Sequence, residues 1–262
     1  MTSATKTPPI VLAIFGASSS TAREVYRDIE ARVCEAFPGH EVVWAYLSRR
    51  IVLKQRELGV ILPTLPESLA SLKQAGHSEA VVQPLLVVPG EEYAAVKATV
   101  CDGMVLSIGD ALLTSAADMT AAISAISPNV VPGVPNVLIC HGNQKHPEYN
   151  EPLLRLKQMA EAAFNNMIVA SVEGEPGTEP LIKARDLAKA QDTVAFIPFM
   201  IAAGEHVTND VMGSKADSWR NVIGARQVTC AKPLGNNSEI IDIFINHIKV
   251  AMQTLTMKSH HD

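Results

Sequence analysis

Two stretches of the chain read almost alike, and this duplication constrains the fold more than any other feature. The segment Pro84 to Glu92 aligns without gaps on Pro198 to His206, keeping Pro, Gly and Glu at matching places. Leu12 to Gly16 aligns in the same way on Leu138 to Gly142. Eight short apolar runs follow the same division. They lie at 10–15, 42–46, 80–88 and 104–108 in the first half, and at 136–140, 168–172, 193–201 and 227–230 in the second. Unbroken apolar runs separated by helix-length segments mark parallel strands covered on both faces. The segment after the first run shows how the helices are encoded. Thr21-x-x-Glu24 reads as a capping box, Val25, Ile29, Val33 and Phe37 recur every four residues, and Pro38-Gly39 stops the pattern. The expected fold is therefore α/β, with two similar lobes, each a four-stranded parallel sheet flanked by helices, and a cleft between them. A Pro-rich stretch from Pro128 to Pro135 separates the copies, giving expected lobes at 1–127 and 128–262, with the last helix free to pack on the first lobe.

Composition narrows the function classes. The 262 residues carry 22 Lys and Arg against 27 Asp and Glu, a net charge of −5, which argues against a nucleic-acid partner. No apolar run approaches the roughly 20 residues that span a bilayer, so no membrane association is expected. The N-terminal text lacks a basic region followed by a long apolar stretch, and the four cysteines form no C-x-x-C pair. Both readings favour a cytoplasmic setting.

Common catalytic signatures are missing. The chain has no G-x-G-x-x-G, no G-x-x-x-x-G-K-[ST] and no H-E-x-x-H, and the serines after Gly16 lack the closing glycine of a nucleophile elbow. The informative positions are those where the two copies differ. The second copy carries His141 where the first has Phe15, and His206 where the first has Glu92. Both fall at the carboxyl ends of expected strands, where open parallel sheets place their binding residues. A third strand end in the same half supplies Glu173. Two imidazoles and a carboxylate suit Co, Fe, Ni or Zn, and the residue types leave that choice open.

An ordered set of motifs then resembles one family. Cys140-His141-Gly142, Val172-Glu173, Ala203-Gly204-Glu205-His206, and Asn209-Asp210 through Asp217-Ser218-Trp219 resemble the anaerobic cobalt chelatases, the sirohydrochlorin cobaltochelatases of the class II chelatase superfamily. Phe15-Gly16 with Ser18, Gly90-x-Glu92-Tyr93, and Leu234-Gly235 extend the likeness, while Ala17 and Pro89 depart from it. The resemblance implies insertion of Co2+ into the cyclic tetrapyrrole sirohydrochlorin during cobalamin biosynthesis, with no organic cofactor. It makes His141, Glu173 and His206 the metal ligands and His141, His206 and Glu92 the catalytic residues, with Glu92 facing the same cleft from the other lobe to steer the metal or take a proton. Two alternatives keep the same residues. One is ferrochelation with Fe2+ for sirohaem; the other is a non-enzymatic two-lobed carrier of metal or tetrapyrrole.

A macrocycle bearing several carboxylates also needs donors. Ser18, Ser19 and Ser20 precede a helical pattern, where backbone N–H groups and the helix dipole favour anions. Arg49, Arg50, Lys54 and Arg56 form the one dense basic run, a second candidate for substrate contact. The sequence leaves homo-oligomer formation open.

Overall fold

The computed structural model describes residues 6–17 and 20–259. All eight strands are present, split into two sheets of four. The first sheet contains β1 (Ile10–Ile14), β2 (Val42–Tyr46), β3 (Glu79–Pro84) and β4 (Val105–Ile108), in the order β2-β1-β3-β4. The second contains β5 (Asn136–Cys140), β6 (Met167–Ser171), β7 (Thr193–Pro198) and β8 (Gln227–Cys230), in the order β6-β5-β7-β8. Every pairing is parallel. Leu12 lies opposite Trp44 and Gln83, and its counterpart Leu138 lies opposite Val169 and Ile197.

The duplication extends to single hydrogen bonds. Leu85 N donates to Ala13 O just as Phe199 N donates to Ile139 O. Beyond β3, Leu112 N and Leu113 N donate to Leu86 O and Val87 O; beyond β7, Leu234 N and Gly235 N donate to Met200 O and Ile201 O. These bonds explain why β3 and β7 stop at Pro84 and Pro198, short of the expected 88 and 201. The residues that follow are held by the loop after the edge strand and leave the ladder. A second difference concerns α1 (Ser20–Ala36). It begins one residue before the expected cap, so Thr21 sits inside the first turn.

The remaining helices of interest are α2 (Arg49–Glu57), α3 (Leu65–Gln74), α4 (Glu91–Lys97), α5 (Ala116–Ile126), α6 (Glu151–Ala163), α7 (Leu181–Gln191), α8 (Trp219–Ile223) and α9 (Ser238–Ser259). Strand alternation sorts side chains between layers. Ile10, Leu12 and Ile14 of β1 share one core with Leu138 and Cys140 of β5, and with α1, α5, α6 and α9. Val11 and Ala13 face the other way, onto α3; Val137 and Ile139 face α7 and α8. One apolar core thus runs across both sheets. Helix α9 contributes Ile240, Ile241, Phe244, Ile248 and Leu255 to it and packs on β3 and β4 of the first sheet. Each such side chain fully removed from water stabilises the fold by roughly 1.5–3 kcal/mol.

Gly235 marks a close approach between the halves. A Cβ there would come within 2.3 Å of Val25 on α1 and 2.4 Å of Ile201 O, so only glycine lets this loop seat against α1. No helix among the described residues is long and apolar enough to cross a membrane.

Candidate metal centre

In the second sheet the strand order reverses between the adjacent strands β5 and β7, and parallel sheets open a crevice at such a point. His141 directly follows β5, and His206 lies eight residues beyond the end of β7. Glu173 follows β6 by two residues. One ligand atom from each of His141, Glu173 and His206 lies within 4.8 Å of the other two. This is the one such His, Cys, Asp and Glu group among the described residues.

Backbone contacts hold the first two ligands together. Val172 N donates to Cys140 O at 3.1 Å, and Glu173 N donates to His141 O at 2.8 Å, continuing the β5–β6 register beyond the strands. Gly142 makes that approach possible. Its φ is +74°, and a Cβ would fall 1.7 Å from Glu173 O. Asn150, almost fully buried, fastens the same loop. Its Oδ1 accepts from Asn143 N at 2.7 Å, and its Nδ2 donates to Asn143 O at 2.8 Å.

Each imidazole has its Nδ1 committed to an acceptor. His141 Nδ1 is 2.8 Å from Gly142 O, and His206 Nδ1 is 2.6 Å from Asp210 Oδ2. A carbonyl and a carboxylate can only accept, so in the neutral rings Nδ1 holds the proton and Nε2 keeps a free lone pair. Such outer partners orient metal-binding histidines and fix their tautomer. His206 and Asp210 belong to a π-helical turn, His206–Val211, of the kind often found at functional sites. Asp210 acts through His206 and was given no role by the sequence reading. The His-x-x-x-Asp spacing was the available signal.

The other expected site residues are distributed differently. Glu92 sits in the first turn of α4, opposite the second lobe, and is not a member of the three-residue group. Its neighbour Tyr93 anchors that turn by donating its hydroxyl to Asp110 Oδ1 at 2.7 Å; burial first, and this bond second, push the phenol upward. Ser20 opens α1, whereas Ser18 and Ser19 lie outside the described residues. Cys140 is fully buried, and burial pushes its thiol up to about 12, so it is core and not a soft ligand. Trp219, also buried, packs with α7 and β7.

Polar contacts cross the cleft on two sides, and both begin at equivalent glutamates of the repeat. Glu91, in the first lobe, lies 3.5 Å from His146 of the second. Glu205, in the second lobe, lies 3.9 Å from Lys54 of the first. Arg56 instead turns to Glu67 at 3.2 Å. The basic run therefore does not act as one patch.

Two sheets of this order, with a His–Glu–His group at the strand ends of one of them, give the chain the same fold as solved chelatases. The sirohydrochlorin chelatase SirB from Bacillus subtilis subspecies spizizenii, solved in complex with cobalt, superposes with a TM-score of 0.61 at 13% identity, over 94% of this chain and 95% of that one. The sequence then narrows the class. The cobalt chelatase (CbiK) family model matches residues 9–253, and the chain belongs to that family. It is 25% identical to sirohydrochlorin cobaltochelatase CbiKC of Nitratidesulfovibrio vulgaris over 264 residues, covering 94% of this chain and 91% of that protein. It is 26% identical to the sirohydrochlorin cobaltochelatase of Salmonella typhimurium, covering 85% of this chain and 88% of that protein.

Proposed function

We propose that this chain is a sirohydrochlorin cobaltochelatase, inserting Co2+ into sirohydrochlorin with His141, Glu173 and His206 presenting the metal. The observation that carries this reading is the convergence of those three side chains within 4.8 Å at the strand ends of one lobe. Two borderline imidazoles and one hard carboxylate, with two of the three residues exposed, suit a divalent ion that must arrive, lose part of its water and leave again. A closed four-ligand structural site would hold the ion too firmly.

The insertion must also dispose of two pyrrole protons for each Co2+ that enters the ring. When the ion passes to the pyrrole nitrogens, the Nε2 lone pairs of His141 and His206 become available, and imidazole is the side chain suited to accept protons near neutral pH. The same atoms thus hold the metal first and take the protons afterwards. Glu92, entering from α4 of the opposite lobe, is assigned to guiding the ion or a proton and not to the ligand set. The four cysteines are all free, which accords with a reducing cytoplasmic setting.

The test is multiple-turnover conversion of sirohydrochlorin with Co2+, followed by absorbance. Many product molecules per chain are expected. Stoichiometric binding without turnover would reject the enzyme in favour of a carrier, and turnover with Fe2+ but not Co2+ would reassign the metal.

A further inference from the structure

We infer that Arg50 and Lys54, with Leu53 between them on one exposed face of α2, form a dock for the peripheral carboxylates of the macrocycle. This rests on the reading above that the substrate is a carboxylate-bearing tetrapyrrole. Helix α2 starts three residues after β2, at the carboxyl edge of the first sheet. Its inner side buries Val52 and Gln55, and Ile51 lies against Gly16 in the loop after β1. Arg50, Leu53 and Lys54 stand at positions i, i+3 and i+4, which share a helix face. All three are exposed, Leu53 to 48%.

Lys54 fixes where that face looks. Its ammonium lies 3.9 Å from Glu205, the residue before His206, so the ridge borders the cleft beside the metal centre. This pair is long and open, with side chains 58% and 73% exposed. Exposed pairs of that kind contribute little, and a substrate carboxylate can take the place of Glu205.

Arg50 carries the stronger argument. It makes no ion pair or hydrogen bond with any of the described residues. It also sits in the first turn of α2, which has no acidic residue, where the helix dipole opposes a cation. A guanidinium kept there without a partner, on a protein of net charge −5, is a local trap for an anion. Its planar fork matches a carboxylate, and Leu53 beside it offers apolar surface to the body of a macrocycle. Arg56, two residues past Lys54, is excluded because Glu67 already neutralises it.

The experiment measures binding of metal-free sirohydrochlorin by fluorescence, at low and high salt, together with KM for the macrocycle and Kd for Co2+. The variants are Arg50→Ala, Lys54→Ala, the double variant, Arg50→Lys and, as a control, Arg56→Ala. We expect the double variant to weaken macrocycle binding by about tenfold or more, the loss typical of a charge-assisted contact. Its salt dependence should flatten, Co2+ affinity should stay unchanged, and Arg50→Lys should recover part of the loss. If the double variant binds sirohydrochlorin as tightly as the wild type, the dock is wrong while the chelatase reading stands. If the wild type itself fails to bind sirohydrochlorin, both are wrong.

Discussion

The rings of His141 and His206 stand 5.1 Å apart at 85°, edge to face, although 65 positions of chain separate them. Each is held from behind by its own acceptor, so the two Nε2 lone pairs are set by the protein before any metal arrives. His141→Ala or His206→Ala should therefore each lower Co2+ turnover by at least about a hundredfold, the upper end of what loss of a mere supporting partner costs. Circular dichroism should show an intact fold, since neither ring belongs to the core. Near wild-type rates in either variant, with Co2+ in excess, would remove that residue from the ligand set.

Asp210 gives a sharper test because it acts on one histidine alone. Asp210→Asn keeps the size of the side chain but replaces a charged acceptor at 2.6 Å from His206 Nδ1. Metal affinity should fall roughly 10–100-fold. Calorimetric titration with Co2+ reads the effect directly. An unchanged Kd would mean that the π-helical turn orients His206 without help from the carboxylate.

Much of this arrangement was legible in the sequence, for identifiable reasons. Buried parallel strands are apolar on both faces, so all eight announce themselves, and the repeat fixes their grouping. His141, Glu173 and His206 were legible because strand ends converge at one edge of a parallel sheet. The repeat also pointed to Glu92 as a carboxylate of the facing lobe outside the ligand set, and it lies in the first turn of α4, apart from the three-residue group. The last helix was open to packing on the first lobe, but the core that joins β1 to β5 was hidden, because periodicity identifies a buried face without naming its partner. The π-helical turn at His206 was hidden as well, since a one-residue change in hydrogen-bond spacing leaves no hydrophobic trace.

Gly142 and Gly133 separate two costs of replacing glycine. Both have positive φ, +74° and +78°, but a Cβ on Gly133 meets nothing within 4 Å. Gly133→Ala should cost about 1–2 kcal/mol of stability and leave Co2+ binding alone. Gly142→Ala must also push Glu173 O away from a Cβ that would lie 1.7 Å from it. Thermal melts paired with Co2+ titrations should show stability lost in both variants and metal binding lost only in Gly142→Ala. Intact Co2+ binding in Gly142→Ala would show that the β5–β6 backbone contact does not set the site.

Tyr93 connects stability to pH with a defined sign. Its hydroxyl donates to Asp110, and Asp110 O in turn accepts from Gln83 Nε2 at 2.9 Å and His247 Nδ1 at 3.0 Å. Burial, then this bond to Asp110, raise the phenol above its ordinary value of 10.0. Below that value the phenol is protonated in both folded and unfolded chains, and the bond contributes its full stabilisation. As pH rises past it, the unfolded chain loses the proton while the folded chain retains it, so stability falls. Tyr93→Phe removes both the bond and this slope. At pH 8 the variant should be less stable than the wild type by about 1 kcal/mol. Urea unfolding repeated above the ordinary phenol range should show that gap narrowing, because only the wild type loses stability through this side chain. The buried Tyr26, also raised, contributes equally to both proteins and cancels in the comparison. A gap that stays constant with pH would mean that the Tyr93 phenol ionises alike in the folded and unfolded chains, and that its bond to Asp110 does not anchor the helix bearing Glu92.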